Sequence, residues 1–159
     1  MIRTGIGFDV HPFADGRRLV LGGVEIAGAR GLAGHSDADV LCHALADALL
    51  GAVAYGDIGV HFPDSDLRWK DADSLQLLTH CAQMVRARDA QIINVDATVL
   101  AEYPKLAPHR ELMRERLAAA LQLPLDRISI KATTMEKLGS IGRGEGIAVI
   151  AIATVEQST

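Results

Sequence analysis

The chain switches between two hydrophobic periodicities, and the switches predict its elements. Over residues 2–11 apolar and polar positions alternate, with glycines at Gly5 and Gly7; this predicts a strand ending at His11-Pro12 whose backbone something approaches closely. Leu19-Val20-Leu21, Gly22-Gly23 and Val24-Glu25-Ile26 then read as a hairpin. Residues 28–34 read as a mobile loop leading into a first helix with Ser36 as its N-cap. In that helix Val40, Leu41, Ala44, Leu45, Ala48 and Leu49 form the apolar face, and Asp39, His43 and Asp47 share one stripe at i, i+4 spacing.

From residue 55 to 70 the chain is rich in Gly, Pro and Asp and reads as a long loop of the kind that carries function. Ser74 opens a second amphipathic helix reaching about Arg88, followed by a strand over 92–100. A third helix with Pro108 in its first turn runs to Leu121, and a strand over 128–134 leads into Met135-Glu136-Lys137-Leu138-Gly139. The final run, 147–155, is apolar on both faces, so both faces need cover. These elements predict a single α+β domain over 1–159, a sandwich with helices on one face of a mixed sheet. The other sheet face is then expected to pack against another subunit.

Composition narrows the function. Aromatics are only 4% of the 159 residues, so the core must be built from Ala, Val, Leu and Ile. A net charge of −4 excludes the broad basic face that nucleic acids or anionic membranes require, leaving small anions to a local pocket. Cys42 and Cys81 read as buried thiols in a reducing compartment. With no signal sequence and no apolar run of membrane-spanning length, the expected location is the cytoplasm.

Asp9 and His11 share one face of their strand, and His43, two turns into the first helix, can reach across to them. A carboxylate with two imidazoles suits an open zinc site, although Asp-x-His on a strand also describes a polar surface edge. A metal on one His43 nitrogen, with Asp47 or a backbone carbonyl on the other, would satisfy a buried ring. His35 and Ser36 read either as an anion site at the helix terminus or as a solvated histidine beside a cap. The acidic loop at 56–66 suits polyol hydroxyls or a second cation, or equally turns in which Asp bonds its own backbone. Near the C-terminus, Thr133 and Thr134 can hold a phosphate oxygen and Glu136 a hard divalent ion, while Arg143 and Glu145 can equally form an ion pair in a tight turn. His61, His80 and His109 read as structural.

Taken together, Gly-Phe-Asp-Val-His at 7–11, His-Ser-Asp-Ala-Asp at 35–39, Gly-Asp-Ile-Gly at 56–59, Phe-Pro-Asp-Ser-Asp at 62–66, Lys-Ala-Thr-Thr at 131–134 and the glycine-rich 136–146 resemble the 2-C-methyl-D-erythritol 2,4-cyclodiphosphate synthase family. The resemblance runs in order along nearly the whole chain. It implies a zinc-dependent homotrimeric lyase of the non-mevalonate isoprenoid pathway, with active sites between subunits. In that reaction 4-diphosphocytidyl-2-C-methyl-D-erythritol 2-phosphate closes on itself and releases CMP.

By motif, the resemblance makes Asp9, His11 and His43 the zinc ligands, and His35 and Thr134 the residues that position the reacting phosphates. Ser36, Asp57, Gly59, Phe62, Pro63, Asp64, Ser65 and Asp66 would hold the erythritol and its 2-phosphate. Ala101, Pro104, Lys105, Leu106, Ala107, Thr133 and Thr134 of a neighbouring subunit would receive the cytidine end. Glu136 would meet Mg2+ or Mn2+, with Arg143 nearby. Ser140-Ile141 and Met135 depart from the family, which commonly has Phe and a third Thr at these places. Two other functions fit the isolated residues: a zinc phosphohydrolase and a non-catalytic nucleotide-binding module.

Overall fold

The computed structural model describes residues 1–63 and 65–158, and the sheet is laid down from both ends of the chain. In chain order the elements are β1 (Ile2–Ala14), the hairpin β2 (Val20–Leu21) and β3 (Val24–Glu25), β4 (Gly31–Leu32), α1 (Val40–Ala52), the one-turn α2 (Ile58–His61), α3 (Ser74–Arg86), β5 (Ala90–Leu100), α4 (Arg110–Leu121), β6 (Ile128–Thr133), the one-turn α5 (Gly139–Gly142) and β7 (Gly146–Gln157). The main sheet runs β4-β1-β7-β5-β6, antiparallel except for the parallel β5–β6 pair. β7 is therefore the centre, and α1, α3 and α4 lie over one face.

The close approach expected at Gly5 and Gly7 is made by α1. A Cβ on Gly5 would lie 2.0 Å from the Ala48 carbonyl oxygen, and one on Gly7 would lie 1.8 Å from that of Ala44. Helix backbone thus rests on strand backbone, which a core of small residues permits. Every residue of α1 except Asp47 and Gly51 is buried, so its apolar character runs nearly all round.

Four expectations are corrected. Asp39 caps α1, not Ser36: its carboxylate accepts the Cys42 N–H at 3.0 Å and also the N–H groups of Gly22 at 2.9 Å and Gly23 at 2.7 Å. Those glycines have positive φ, as the hairpin turn requires, so one buried carboxylate fixes both the turn and the helix start. The supposed mobile loop at 28–34 contains β4, which pairs Leu32 with Phe13 and Gly31 with Ala14; a two-residue strand carries no periodic signal. Pro108 lies in a 3-10 turn, Ala107–His109, that precedes α4 instead of in its first α-turn. The 55–70 segment is partly helical, with α2 capped by Asp57 and a 3-10 turn, Leu67–Trp69, capped by Asp66.

The final strand divides its two apolar faces. Ile147, Val149, Ala151, Ala153 and Val155 are buried on the helix side. On the other, Ile150 and Ile152 are exposed beside Ile6, Phe8 and Val10 of β1, forming an apolar sheet surface. Cys42 and Cys81 are buried free thiols, and burial pushes the Cys81 thiol up to about 12. Among the described residues no helix is long and apolar enough to cross a membrane.

Candidate active site

Three side chains from two elements converge where β1 passes the first turn of α1. The period of two along β1 turns Asp9 and His11 to the same side, and α1 brings His43 over them. His11 Nε2 lies 2.9 Å from Asp9 Oδ2, His43 Nδ1 lies 3.1 Å from the same oxygen, and the two nitrogens are 3.4 Å apart. Among the described residues these three form a group that could hold a metal ion. Four donors set tetrahedrally about zinc at 2.0–2.1 Å would stand about 3.3 Å from one another, so the observed spacing fits an ion of that size.

Hydrogen bonds behind each ring identify the nitrogen that faces the group. His11 Nδ1 is 2.5 Å from the Ala33 carbonyl oxygen, which can only accept, so Nδ1 carries the proton and Nε2 presents a lone pair. His43 Nε2 is 2.8 Å from Ser74 Oγ and 3.1 Å from Ser36 Oγ. These hydroxyls occupy the place expected for Asp47, whose carboxylate instead accepts the Ile58 N–H at 2.8 Å. Asp9 Oδ1 accepts the Val10 N–H at 2.9 Å, leaving Oδ2 for the group.

Charge favours a cation here. Burial pushes the Asp9 carboxyl up, but the His11 and His43 hydrogen bonds and charges outweigh it and hold the group well below the usual carboxylate range. Burial pulls His11 down, yet Asp9 and the Ala33 carbonyl raise its pKa overall. Two imidazole lone pairs and a carboxylate oxygen attract either protons or a metal ion.

The group opens into a cavity of about 500 Å³ lined also by Gly34, His35, Ser36, Ile58, Gly59, Phe62, Pro63, Trp69 and Leu77. The structure thus gathers Asp9, His11, His43, His35, Ser36, Gly59, Phe62 and Pro63 around one space. Ser36 is buried, with its hydroxyl turned toward His43 and Ser74. Asp57 and Asp66 are engaged as caps on the N–H groups of Val60 and Arg68, the local-backbone alternative for this loop. Ser65 is exposed, and Asp64 lies outside the described residues.

A second cluster forms at the far edge of the sheet. The Ala101 N–H donates to the Thr133 carbonyl at 3.0 Å, joining the segment that contains Pro104, Lys105, Leu106 and Ala107 to the exposed Thr133, Thr134 and Glu136. Glu102, which the sequence did not single out, accepts the Met135 N–H at 2.9 Å and the Lys137 N–H at 3.3 Å. It thereby steadies a turn in which Glu136 and Lys137 both have positive φ. Arg143 pairs with Glu145 at 2.6 Å in an exposed turn, the ion-pair alternative for that motif.

Register fixes the distance between the clusters. Asp9 pairs with Val149, Val149 with Val99, and Val99 with Ala132, which puts Asp9 and Ala132 at one level three strand spacings apart, about 14 Å. Residues missed from the sequence include Trp69 and Leu77 in the cavity wall and Ser74 behind His43, because nothing in local spacing shows that the start of α3 lies there.

Comparison with known proteins agrees with this arrangement. The YgbB family's sequence profile matches residues 2–156. The 2-C-methyl-D-erythritol 2,4-cyclodiphosphate synthase of Methylobacillus flagellatus is 54% identical over 157 residues, covering 99% of this chain and 98% of the relative. The enzyme of that name from Salinibacter ruber is 55% identical over 157 residues, covering 99% of this chain and 100% of the relative. Among solved structures, the bifunctional IspDF from Campylobacter jejuni superposes with a TM-score of 0.95 at 46% identity, over 99% of this chain and 43% of that one. A 2C-methyl-D-erythritol-2,4-cyclodiphosphate synthase in its CDP-bound form gives 0.89 at 36% identity, over 97% of this chain and 100% of that one. By profile, identity and coverage together, the chain belongs to the YgbB family, that of the 2-C-methyl-D-erythritol 2,4-cyclodiphosphate synthases.

Proposed function

We propose that the chain closes 4-diphosphocytidyl-2-C-methyl-D-erythritol 2-phosphate into 2-C-methyl-D-erythritol 2,4-cyclodiphosphate and CMP, as a cytoplasmic enzyme of the non-mevalonate isoprenoid pathway. The 2-phosphate oxygen forms a bond to the β-phosphorus as the bond from that phosphorus to the CMP oxygen breaks. The observation that carries this reading is the convergence of Asp9 Oδ2, His11 Nε2 and His43 Nδ1 at the mouth of a cavity. Relatives named for the cyclisation support it.

Zinc held by Asp9, His11 and His43 would neutralise phosphate charge and act as a Lewis acid. The chain's own residues do the remaining work. His35, Ser36, Gly59, Phe62 and Pro63 line the cavity, the first two where the 2-phosphate would sit and the other three where they would enclose the erythritol and exclude water. Asp57, Asp64, Ser65 and Asp66 would complete that side, while Ala101, Pro104, Lys105, Leu106, Ala107 and Thr133 would receive the cytidine. Thr134 would hold the diphosphate, Glu136 its Mg2+ or Mn2+ ion, and Arg143 would lie beside them. An intramolecular attack requires orientation and charge neutralisation, with no activated water.

Reacting atoms must approach within about 3.5 Å. The metal cluster and the Thr134 cluster, about 14 Å apart across the sheet, cannot hold the same pair of phosphates within one chain. A homotrimer in which the apolar sheet surfaces meet would bring the Thr134 half of one subunit to the metal half of its neighbour.

Phosphorus NMR of the protein with substrate, zinc and magnesium should show CMP and a cyclic diphosphate. His43→Ala should lower turnover at least about 100-fold. Inorganic phosphate or a linear diphosphate from folded, metal-loaded protein would instead mark a phosphohydrolase.

A further inference from the structure

We infer that Ser74 and Asp37 are positioning residues that hold His43 in the one tautomer able to bind a metal through Nδ1. The inference rests on the reading of Asp9, His11 and His43 as a metal site and concerns residues outside that triad. Ser74 is 1% exposed and is the first residue of α3, and Asp37 grips it twice. The Ser74 hydroxyl donates to Asp37 Oδ1 at 2.5 Å, and its backbone N–H donates to Asp37 Oδ2 at 3.2 Å.

A hydroxyl has one proton, and this one is committed to a carboxylate. Toward His43, Ser74 Oγ can therefore only accept, and it sits 2.8 Å from Nε2. Nε2 must then carry the ring proton, which leaves the Nδ1 lone pair facing Asp9 and His11. Ser36 Oγ, 3.2 Å from Ser74 Oγ and accepting the Ala38 N–H at 3.2 Å, fits the same proton order. The polarity of the chain Asp37–Ser74–His43 thus runs from carboxylate to metal position. A carboxylate behind a metal-bound imidazole is a common arrangement, and here a serine hydroxyl is interposed.

Asp37→Asn tests the polarity. Its amide can donate to Ser74 Oγ, freeing the hydroxyl proton to point at Nε2, so His43 shifts toward the Nδ1–H form that cannot coordinate through Nδ1. Ser74→Ala removes the nearer acceptor and leaves only Ser36 Oγ, at 3.1 Å, whose own proton is then free to turn to Nε2, and Ser74→Thr keeps the nearer acceptor. The readouts are the ¹⁵N chemical shifts of the His43 ring in metal-free protein, zinc affinity by chelator competition, and the visible spectrum of the Co2+-substituted site.

Wild type should show protonated Nε2. Ser74→Ala and Asp37→Asn should bind zinc about 10–100-fold more weakly with an altered Co2+ spectrum, and Ser74→Thr should recover most of the affinity. The wild-type tautomer needs no variant to fold, and finding Nδ1 protonated there overturns the inference. So do folded Ser74→Ala and Asp37→Asn proteins that bind zinc within twofold of wild type. Wild-type protein that takes up no zinc overturns the metal reading and this inference with it, whereas tight wild-type binding matched by the variants overturns only the positioning role.

Discussion

At the residue scale, a metal ion entering the triad would compete with protons, and the sign follows from its two displaced groups. His11, raised above its ordinary 6.5, contributes stability to the metal-free fold that is fully present below 6.5 and is lost as pH rises through the raised value. Asp9, lowered from 3.8, contributes above 3.8 and loses that contribution as pH falls through the lowered value. The metal-free triad is therefore most stabilising in the mildly acid window between them. Bound zinc would reverse the upper limit by replacing the proton on His11, and below that raised value affinity should fall about tenfold for each unit that the pH is lowered. Thermal unfolding with chelator and with excess zinc, run from pH 5 to 8, should show the difference between the two midpoints widening as pH rises. Asp39 offers a separate test, since it accepts N–H groups from Gly22, Gly23 and Cys42 and is fully buried. Asp39→Ala should cost about 2–4 kcal/mol in urea denaturation, more than a lost helix cap, because buried turn donors lose their acceptor as well.

At the element scale, the contact between β1 and α1 decides where His43 sits. A Cβ at Gly7 would meet the Ala44 carbonyl oxygen, one residue after His43, at 1.8 Å. Gly7→Ala must push the helix off the strand, and we expect a loss of about 3 kcal/mol or more in denaturant titrations, with weaker zinc binding by the same protein. The long elements were legible in the sequence because their periodicities are long: the alternation of β1, the apolar stripes of α1 and α3, and the run that became β7. Gly5 and Gly7 announced a close approach, though not which element made it. What escaped was decided by tertiary partners. Ser36 and Asp39 are both good capping residues, and only the β2–β3 turn folding back onto Asp39 selects it. β4 exists because the end of β1 is there to pair with it, and Ser74 serves His43 because α3 begins beside α1. Asp9, His11 and His43 were legible as a converging group that could hold a metal ion since strand and helix spacing aim them, whereas the Asp37–Ser74 support spans 37 positions of sequence.

At the scale of the whole molecule, the uncovered side of the sheet carries Phe8 at 57% and Ile6 at 70% exposure, too much apolar area on one strand to leave in water. In the proposed trimer this surface is interior. Phe8→Glu should yield a species of one-third the mass by sedimentation, with turnover reduced at least about tenfold even though no catalytic group has changed. The register that sets Asp9 level with Ala132 but about 14 Å away has a genetic consequence. In that trimer each chain would lend one half to a site on its left and the other half to a site on its right. Two inactive proteins, His43→Ala and Thr134→Ala, should therefore rescue one another when unfolded and refolded as an equal mixture, with about a quarter of the sites assembled from two intact halves. Lesions at these two positions would then fall into separate complementation groups although they lie in one reading frame.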